Sequence, residues 1–294
     1  MDLQQITGEL KRRVGVRAAS DRARVVAGGS INRAFYVPTD REPLFIKINE
    51  APALPVFQAE AEGLEALRSA GSVAVPDTVD VGHAGGTAYL ALRWVGLSSK
   101  TTAAERLLGA ALARQHRVTA ERFGWHRENT IGATLQRNTP TSSWLDFLRV
   151  ERLVFQLELA AKRGLPRQHL DQGHRVLKRL DWFFGDYRPA ASLLHGDLWS
   201  GNWGCDSFGT PYIYDPAVYH GDREADLAMT RLFGGFGTAF YSAYQNEWPL
   251  ASGWEARVDL YNLYHLLNHF NLFGGGYLAQ TADSLTRLLC ACKG

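Results

Sequence analysis

Leu193-Leu194-His195-Gly196-Asp197-Leu198-Trp199-Ser200-Gly201-Asn202 decides how this chain is read, together with Tyr212-Ile213-Tyr214-Asp215-Pro216 just downstream. The apolar pair leads into a His-Gly-Asp turn, Asn202 follows on the same loop, and a second apolar run ends in Asp215. Two carboxylates and one amide are thereby expected at one site. Phosphoryl transfer from a nucleotide needs that set: a carboxylate to orient a hydroxyl, and an amide and a carboxylate to hold Mg²⁺. Asp197, just after a strand and a glycine, is the candidate catalytic base. Asn202 offers a neutral oxygen and Asp215 an anionic one. A donor set with so few carboxylates suits Mg²⁺, which keeps several of its waters.

Upstream, Lys47 interrupts the apolar strand Leu44-Phe45-Ile46-Lys47-Ile48. Such a lysine ordinarily reaches out to the surface. An acid on the next helix would instead fix its ammonium over phosphate oxygens. Glu60 and Glu62 are both candidates, and Glu60 borders the apolar face of Phe57, Ala61 and Leu64, which makes it the better partner. Gly28-Gly29-Ser30-Ile31-Asn32 joins the first two strands, and glycines there let backbone N–H groups approach phosphates. A plain hairpin turn uses the same residues. With Lys47 at strand spacing downstream, Gly28, Gly29, Ser30 and Asn32 become candidates for covering the phosphates.

The rest of the chain supplies two regions of different pattern. Residues 3–14 read as a helix, then 24–26, 34–37 and 44–48 as short strands, 54–70 as a helix, and 78–81 and 88–94 as a strand pair. Beyond Gly96 the pattern is helical over 101–118, 141–163 and 167–184, and again over 222–246, 254–272 and 277–291, with two short strands at 192–194 and 212–214 around the motif loop. The fold class is α+β and bilobal, with a small antiparallel lobe at 1–96 and a larger helical lobe at 97–294. A cleft between two lobes is a common nucleotide site.

Composition narrows the partners. Of 294 residues, 46% are apolar and 21% charged, which is ordinary for a globular chain and excludes a disordered one. A net charge of +2 gives no reason to expect nucleic acid or an anionic membrane. The one basic stretch, 11–24, is broken by apolar residues and reads as a solvated helix face. Three cysteines are too few for a disulfide framework and read as free thiols. With no signal peptide or membrane-spanning run in the pattern, the expectation is a cytoplasmic monomer acting on a small molecule.

Taken together, these residues resemble the fructosamine (ketosamine) kinase family within the protein-kinase-like fold. The resemblance rests on the His195–Asn202 block, Tyr214-Asp215-Pro216-Ala217-Val218-Tyr219, Gly221-Asp222-Arg223-Glu224-Ala225-Asp226-Leu227-Ala228-Met229-Thr230 and Asn268-His269-Phe270-Asn271-Leu272-Phe273-Gly274. It implies ATP and Mg²⁺ as cofactors and Asp197 as base. Asn202 and Asp215 would be the metal ligands, Lys47 and Glu60 an ion pair, and Leu92, Arg93, Trp94 and Val95 the hinge that holds adenine. The implied reaction phosphorylates the 3-hydroxyl of ketosamines, the sugar adducts left on amines by glycation. The product is unstable, so the result is deglycation. The sequence departs from the family pattern at Arg93, where an acid is expected, at Ser30, where some members carry cysteine, and at Gln115-His116.

Around the loop, Asp226 resembles the buried acid that braces it, His195 reads as orienting the backbone, and Trp199 either stacks on a sugar or packs. Tyr261, His265 and Asn268 share one helix face, where a polar and aromatic stripe suits neutral sugar hydroxyls or else a satisfied interior. The alternatives are an aminoglycoside or choline kinase of the same fold, or a non-catalytic nucleotide-binding module. A polycation calls for an acidic cleft, and the stripe has no acids. A non-catalytic module would be expected to lack one of Lys47, Asp197, Asn202 or Asp215, and all four are present.

Overall fold

Apolar residues on one side of the first helix, α1 (Leu3–Val14), bury Ile6 and Leu10. Three strands follow, β1 (Arg24–Val26), β2 (Arg33–Val37) and β3 (Leu44–Glu50), then α2 (Leu54–Ala70), β4 (Thr78–Ala84) and β5 (Thr87–Arg93). The five strands form one antiparallel sheet in the order β1-β2-β3-β5-β4. Leu44, Ile46 and Ile48 of β3 join Ile6, Leu10 and Tyr89 in one apolar cluster. The two-residue period of a strand then turns Lys47 to the opposite face, where α2 packs. This computed structural model describes residues 3–27 and 31–292.

The remaining elements are α3 (Thr102–His116), β6 (Thr119–Ala120), β7 (Asn129–Ile131), β8 (Thr134–Gln136), α4 (Trp144–Phe147), a π-helical turn at Leu148–Val154, α5 (Phe155–Lys162), α6 (Arg167–Leu177) and α7 (Leu180–Phe184). They continue as β9 (Ala191–Leu194), β10 (Trp203–Cys205), β11 (Pro211–Ile213), β12 (Tyr219–Gly221), α8 (Glu224–Leu232), α9 (Thr238–Glu247), α10 (Trp254–Phe273) and α11 (Leu278–Ala291). The chain divides into two compact units, one of Met1–Ala104 with Trp203–Pro216 and the other of Glu105–Asn202 with Ala217–Gly294. The β10–β11 hairpin therefore belongs with the five-stranded sheet. Ile213 N–H donates to the Ala74 carbonyl at 3.0 Å, and the Cys205 thiol to the Ser99 carbonyl at 3.3 Å.

The second unit is built around α10, which α5, α8 and α11 pack against. Leu260, Leu263, Leu267 and Phe270 of α10 meet Phe147, Leu153, Leu157 and Leu285 in its core. A small antiparallel sheet, β12-β9-β6, carries the His-Gly-Asp loop at the end of β9.

Three expected helices prove to be broken. The segment 141–163 starts at Trp144 and passes through the π-helical turn, 167–184 is interrupted after Leu177, and 222–246 stops at Leu232. The last break has a clear cause: Gly234 and Gly235 take positive φ values of 68° and 85°, a region that no helix can continue through.

Candidate active site

In the first unit, Lys47 is only 6% exposed. Its Nζ donates to Glu60 Oε1 of α2 at 2.7 Å and to Asp215 Oδ1 at 2.5 Å. Burial by itself would lower the ammonium pKa, but the carboxylates of Asp215 and Glu60 more than offset it, and the pKa lies above its usual value. Burial likewise pushes the Glu60 carboxyl up, against the pull of Lys47. Asp215 sits at φ 58°, the one non-glycine at positive φ among the described residues, and it directly precedes Pro216. A left-handed Asp before proline stores about 1–3 kcal/mol of strain. Its side chain is 45% exposed.

The segment expected to be the hinge, 92–95, runs out of the end of β5. Leu92 is buried, whereas Arg93 is exposed. The Arg93 N–H donates to the Asp77 carbonyl at 2.8 Å and the Trp94 N–H to the Pro43 carbonyl at 2.9 Å. Among the described residues, Val95 N–H makes no such bond. The Trp94 ring stands edge-on to Tyr36 at 5.0 Å. Position 93 holds an arginine that is itself paired with acids: Arg93 Nε donates to Asp77 Oδ2 at 3.1 Å and its guanidinium also pairs with Glu42. Asn32 accepts a 2.7 Å hydrogen bond from Asn49 Nδ2, which ties the end of the glycine loop to β3. Gly28, Gly29 and Ser30 lie outside the described residues.

In the second unit, every residue of β9 is buried, and the loop beyond it is fixed by one carboxylate. Asp226 accepts from His195 N–H at 2.7 Å and from Gly196 N–H at 2.8 Å. Its Oδ2 also lies 3.1 Å from His116 Nε2, and His116 Nδ1 lies 2.8 Å from the Tyr244 hydroxyl. Burial alone would raise the Asp226 pKa. Its bonds to His116 and to the loop amides win, and the pKa lies below the usual carboxylate value. Gly196 turns at φ 84° with the Ala217 carbonyl so close that a Cβ would come within 2.1 Å of it, so no other residue fits. His195 is fully buried, and its Nδ1 accepts from the Asp197 N–H at 3.2 Å. This is the backbone-orienting role read from the sequence.

Asn202 closes a single 3-10 turn over Ser200–Asn202. Its Nδ2 donates to the Asp197 carbonyl at 2.9 Å and to Asp197 Oδ2 at 3.3 Å, which fixes which end of the amide meets Asp197. Each by itself, the Asn202 amide oxygen and the Asp215 carboxylate are donor types that suit Mg²⁺. Trp199 is 38% exposed and stands edge-on to Phe233.

The proposed sugar stripe on α10 is placed differently from an open face. Tyr261, His265 and Asn268 are 2%, 4% and 2% exposed. The Tyr261 hydroxyl donates to Asp222 at 2.5 Å and accepts from Trp144 Nε1 at 3.0 Å, while Asn268 bonds the Ile131 carbonyl and Gln156. Burial drives the His265 pKa down to about 3, so the ring is neutral. These side chains form a buried polar layer because α10 is central in its unit and is covered on nearly every side. Periodicity marks a shared face but not whether that face meets solvent or another helix. His116 was the residue with no role in the sequence reading; its partners, Asp226 and Tyr244, lie more than a hundred positions away in the chain, beyond the reach of any local pattern.

Comparison with known proteins gives a consistent picture. A probable ketoamine kinase of Synechocystis sp. is 41% identical over 287 residues, covering 97% of this chain and 96% of that protein. A crystal structure from Thermobifida fusca, described as a "putative fructosamine-3-kinase", is 35% identical with a TM-score of 0.87 and covers 97% of this chain and 98% of that one. The protein-kinase-like fold extends further, to aminoglycoside phosphotransferase APH(4)-Ia at 14% identity and a TM-score of 0.66, covering 98% of this chain and 99% of that one. A family model described as fructosamine kinase matches residues 2–291, and the chain belongs to the fructosamine kinase family.

Proposed function

We propose that the chain transfers the γ-phosphoryl group of ATP to the 3-hydroxyl of fructosamines and related ketosamines, and so begins deglycation, as a cytoplasmic monomer. The observation that carries the reading is Lys47, a charged ammonium kept inside the protein between two carboxylates. Burying a charge is costly, and an isolated structural role would be met more cheaply by an apolar side chain. A positive group held ready for phosphate oxygens accounts for it.

In this reading residues 1–96 hold the nucleotide. Lys47, positioned by Glu60, meets the phosphates, which Gly28, Gly29, Ser30 and Asn32 cover, and Leu92, Arg93, Trp94 and Val95 take the adenine. Residues 97–294 bring the acceptor. The substrate hydroxyl donates to Asp197, its oxygen forms a bond to the γ-phosphorus as the bond to the departing diphosphate breaks, and the proton passes to Asp197. The Asn202 amide, bonded to the Asp197 carboxylate, holds that group in one orientation. Asn202 and Asp215 would hold Mg²⁺, whose charge offsets that of the transferring phosphoryl group.

The test is ATP turnover against fructosyl-lysine, ribulosyl-lysine, kanamycin and choline. Turnover of the ketosamines is expected, with Asp197→Ala lowering kcat by about 10²–10⁴-fold. Turnover of kanamycin alone, or full ketosamine activity in Asp197→Ala, would show the reading to be wrong.

A further inference from the structure

Trp199 begins a row of aromatic rings that the reaction itself does not use. Its ring is 6.4 Å from Phe233, Phe233 is 5.0 Å from His269, and His269 is 5.7 Å from Phe273 and 4.9 Å from Tyr277. Phe273 and Tyr277 also touch, at 6.0 Å. The row runs without a gap from the loop of Asp197 along the end of α10 and into the turn beyond it, all within the second unit. It is also open to solvent: Trp199 and Phe233 are each 38% exposed and Phe273 is 56% exposed. Leaving such rings in water forgoes the burial that aromatic side chains normally gain.

The chemistry of the row limits what can cover it. No Asp, Glu, Lys or Arg stands in residues 233–237 or 268–280, and His269 is the one basic side chain in them. His269 is held neutral by burial, with its Nδ1 on the His265 carbonyl at 2.8 Å. An uncharged aromatic surface offers nothing to a carboxylate or a polycation. It favours an apolar or aromatic group, and tolerates a single ammonium over a ring face.

A ketosamine carries its amine on carbon 1, two carbons from the hydroxyl that must reach Asp197. Whatever is attached to that nitrogen therefore leaves the reacting centre close to Trp199. We propose that the row Trp199, Phe233, His269, Phe273 and Tyr277 carries the amine-side substituent of the substrate and selects ketosamines of large apolar or aromatic amines over those of small or acidic ones. This rests on the ketosamine kinase reading. The argument for that occupant is continuity: the row starts two residues from the proposed base and ends in open solvent.

The experiment compares kcat/KM for the 1-deoxyfructose adducts of methylamine, glycine and benzylamine at saturating ATP. The benzylamine adduct is expected to exceed the methylamine adduct by roughly tenfold, the scale of discrimination that apolar pockets reach, with the glycine adduct lowest. Phe273→Ser and Tyr277→Ser should each pull the benzylamine-to-methylamine ratio toward one. Trp182→Ala, which removes an exposed aromatic outside the row, should leave the ratio as it is. Equal kcat/KM for all three adducts in the wild type, or a ratio unmoved in both serine variants, overturns this inference alone. Turnover of none of them overturns the kinase reading and this one with it. Sedimentation of the same proteins covers the other occupant: a dimer that Phe273→Ser dissociates without changing the ratio would mean that a second copy covers the row.

Discussion

Asp226 shows how much can depend on one carboxylate. Three donors converge on it, two of them the backbone N–H groups that shape the turn before Asp197. Hydrogen bonds to a charged group are worth about 1.5–3 kcal/mol each. Asp226→Asn, which keeps the size but removes the charge and turns one acceptor into a donor, is expected to lower kcat by roughly ten- to a hundredfold. The KM for ATP should change little, a split that steady-state kinetics reads directly. His265 gives a residue-scale prediction in pH. Its folded pKa of about 3 lies below the ordinary 6.5, so the unfolded chain binds more protons between those values, and stability falls as pH drops through that window. The limiting slope is about 1.4 kcal/mol per pH unit. Glu224, which burial pushes up to about 7, works with the opposite sign. The comparison is therefore between wild type and His265→Gln in urea at pH 7 and pH 5, where the variant should lose less stability. The pairing of Lys47 with Glu60 was legible because the two-residue period of a strand and the border of an apolar helix face dictate where the two side chains go, and so was the placing of Asn202 beside Asp197 on one short loop. The burial of Tyr261, His265 and Asn268 was not, because it depends on which helices happen to cover α10.

At the level of elements, the sheet was readable and the helices only in part. Alternation along β3 and glycine turns between strands are strong local signals, and the five-stranded sheet follows from them. Two-residue and three-residue strands such as β6, β7 and β8 are too short to show a period. Helix breaks at the π-helical turn were invisible for another reason: a mid-helix bulge is set by the side chains it must accommodate, here Arg152, which lies 4.2 Å over Tyr219 and 4.5 Å over Phe147. The packing of α3 on α9 yields an element-scale prediction. A Cβ at Gly109 would come within 2.2 Å of the Phe240 carbonyl oxygen. Helix propensity favours Gly109→Ala by about 1 kcal/mol, whereas forcing two helices apart costs about 1–3 kcal/mol. The clash is with backbone and cannot swing aside, so Gly109→Ala should lower the unfolding midpoint despite the better helix former. A raised midpoint would show that α3 can shift freely.

For the molecule as a whole, the binding of nucleotide should appear as stability. A ligand at a hundred times its Kd that binds only the folded state adds about 2.7 kcal/mol, which for a chain of this size raises Tm by roughly 5 °C or more. Mg²⁺-ATP is expected to produce such a shift in a thermal melt, EDTA to diminish it, and Lys47→Ala to abolish it. An undiminished shift in Lys47→Ala would remove Lys47 from the nucleotide site. The change of periodicity after Gly96 reads as a boundary there, whereas the first compact unit runs on to Ala104. That Trp203–Pro216 belongs with the first unit was not legible, since nothing in a short hairpin announces which sheet it will join.

That excursion has a consequence for how the chain is made. The polypeptide leaves the first unit after Ala104, returns at Trp203 and departs again after Pro216. Synthesis proceeds from the N-terminus, and domains generally fold as they emerge. Here the region made first cannot be completed when it emerges. The Ala74 carbonyl awaits Ile213 and the Ser99 carbonyl awaits Cys205, both of which leave the ribosome only after Glu105–Asn202. Throughout that interval the nascent sheet carries unmet backbone acceptors, and Lys47 has Glu60 but not yet Asp215. Lys47 gains its second carboxylate only when the hairpin arrives, so assembly of the first unit and completion of its ion pair are one late event of biosynthesis.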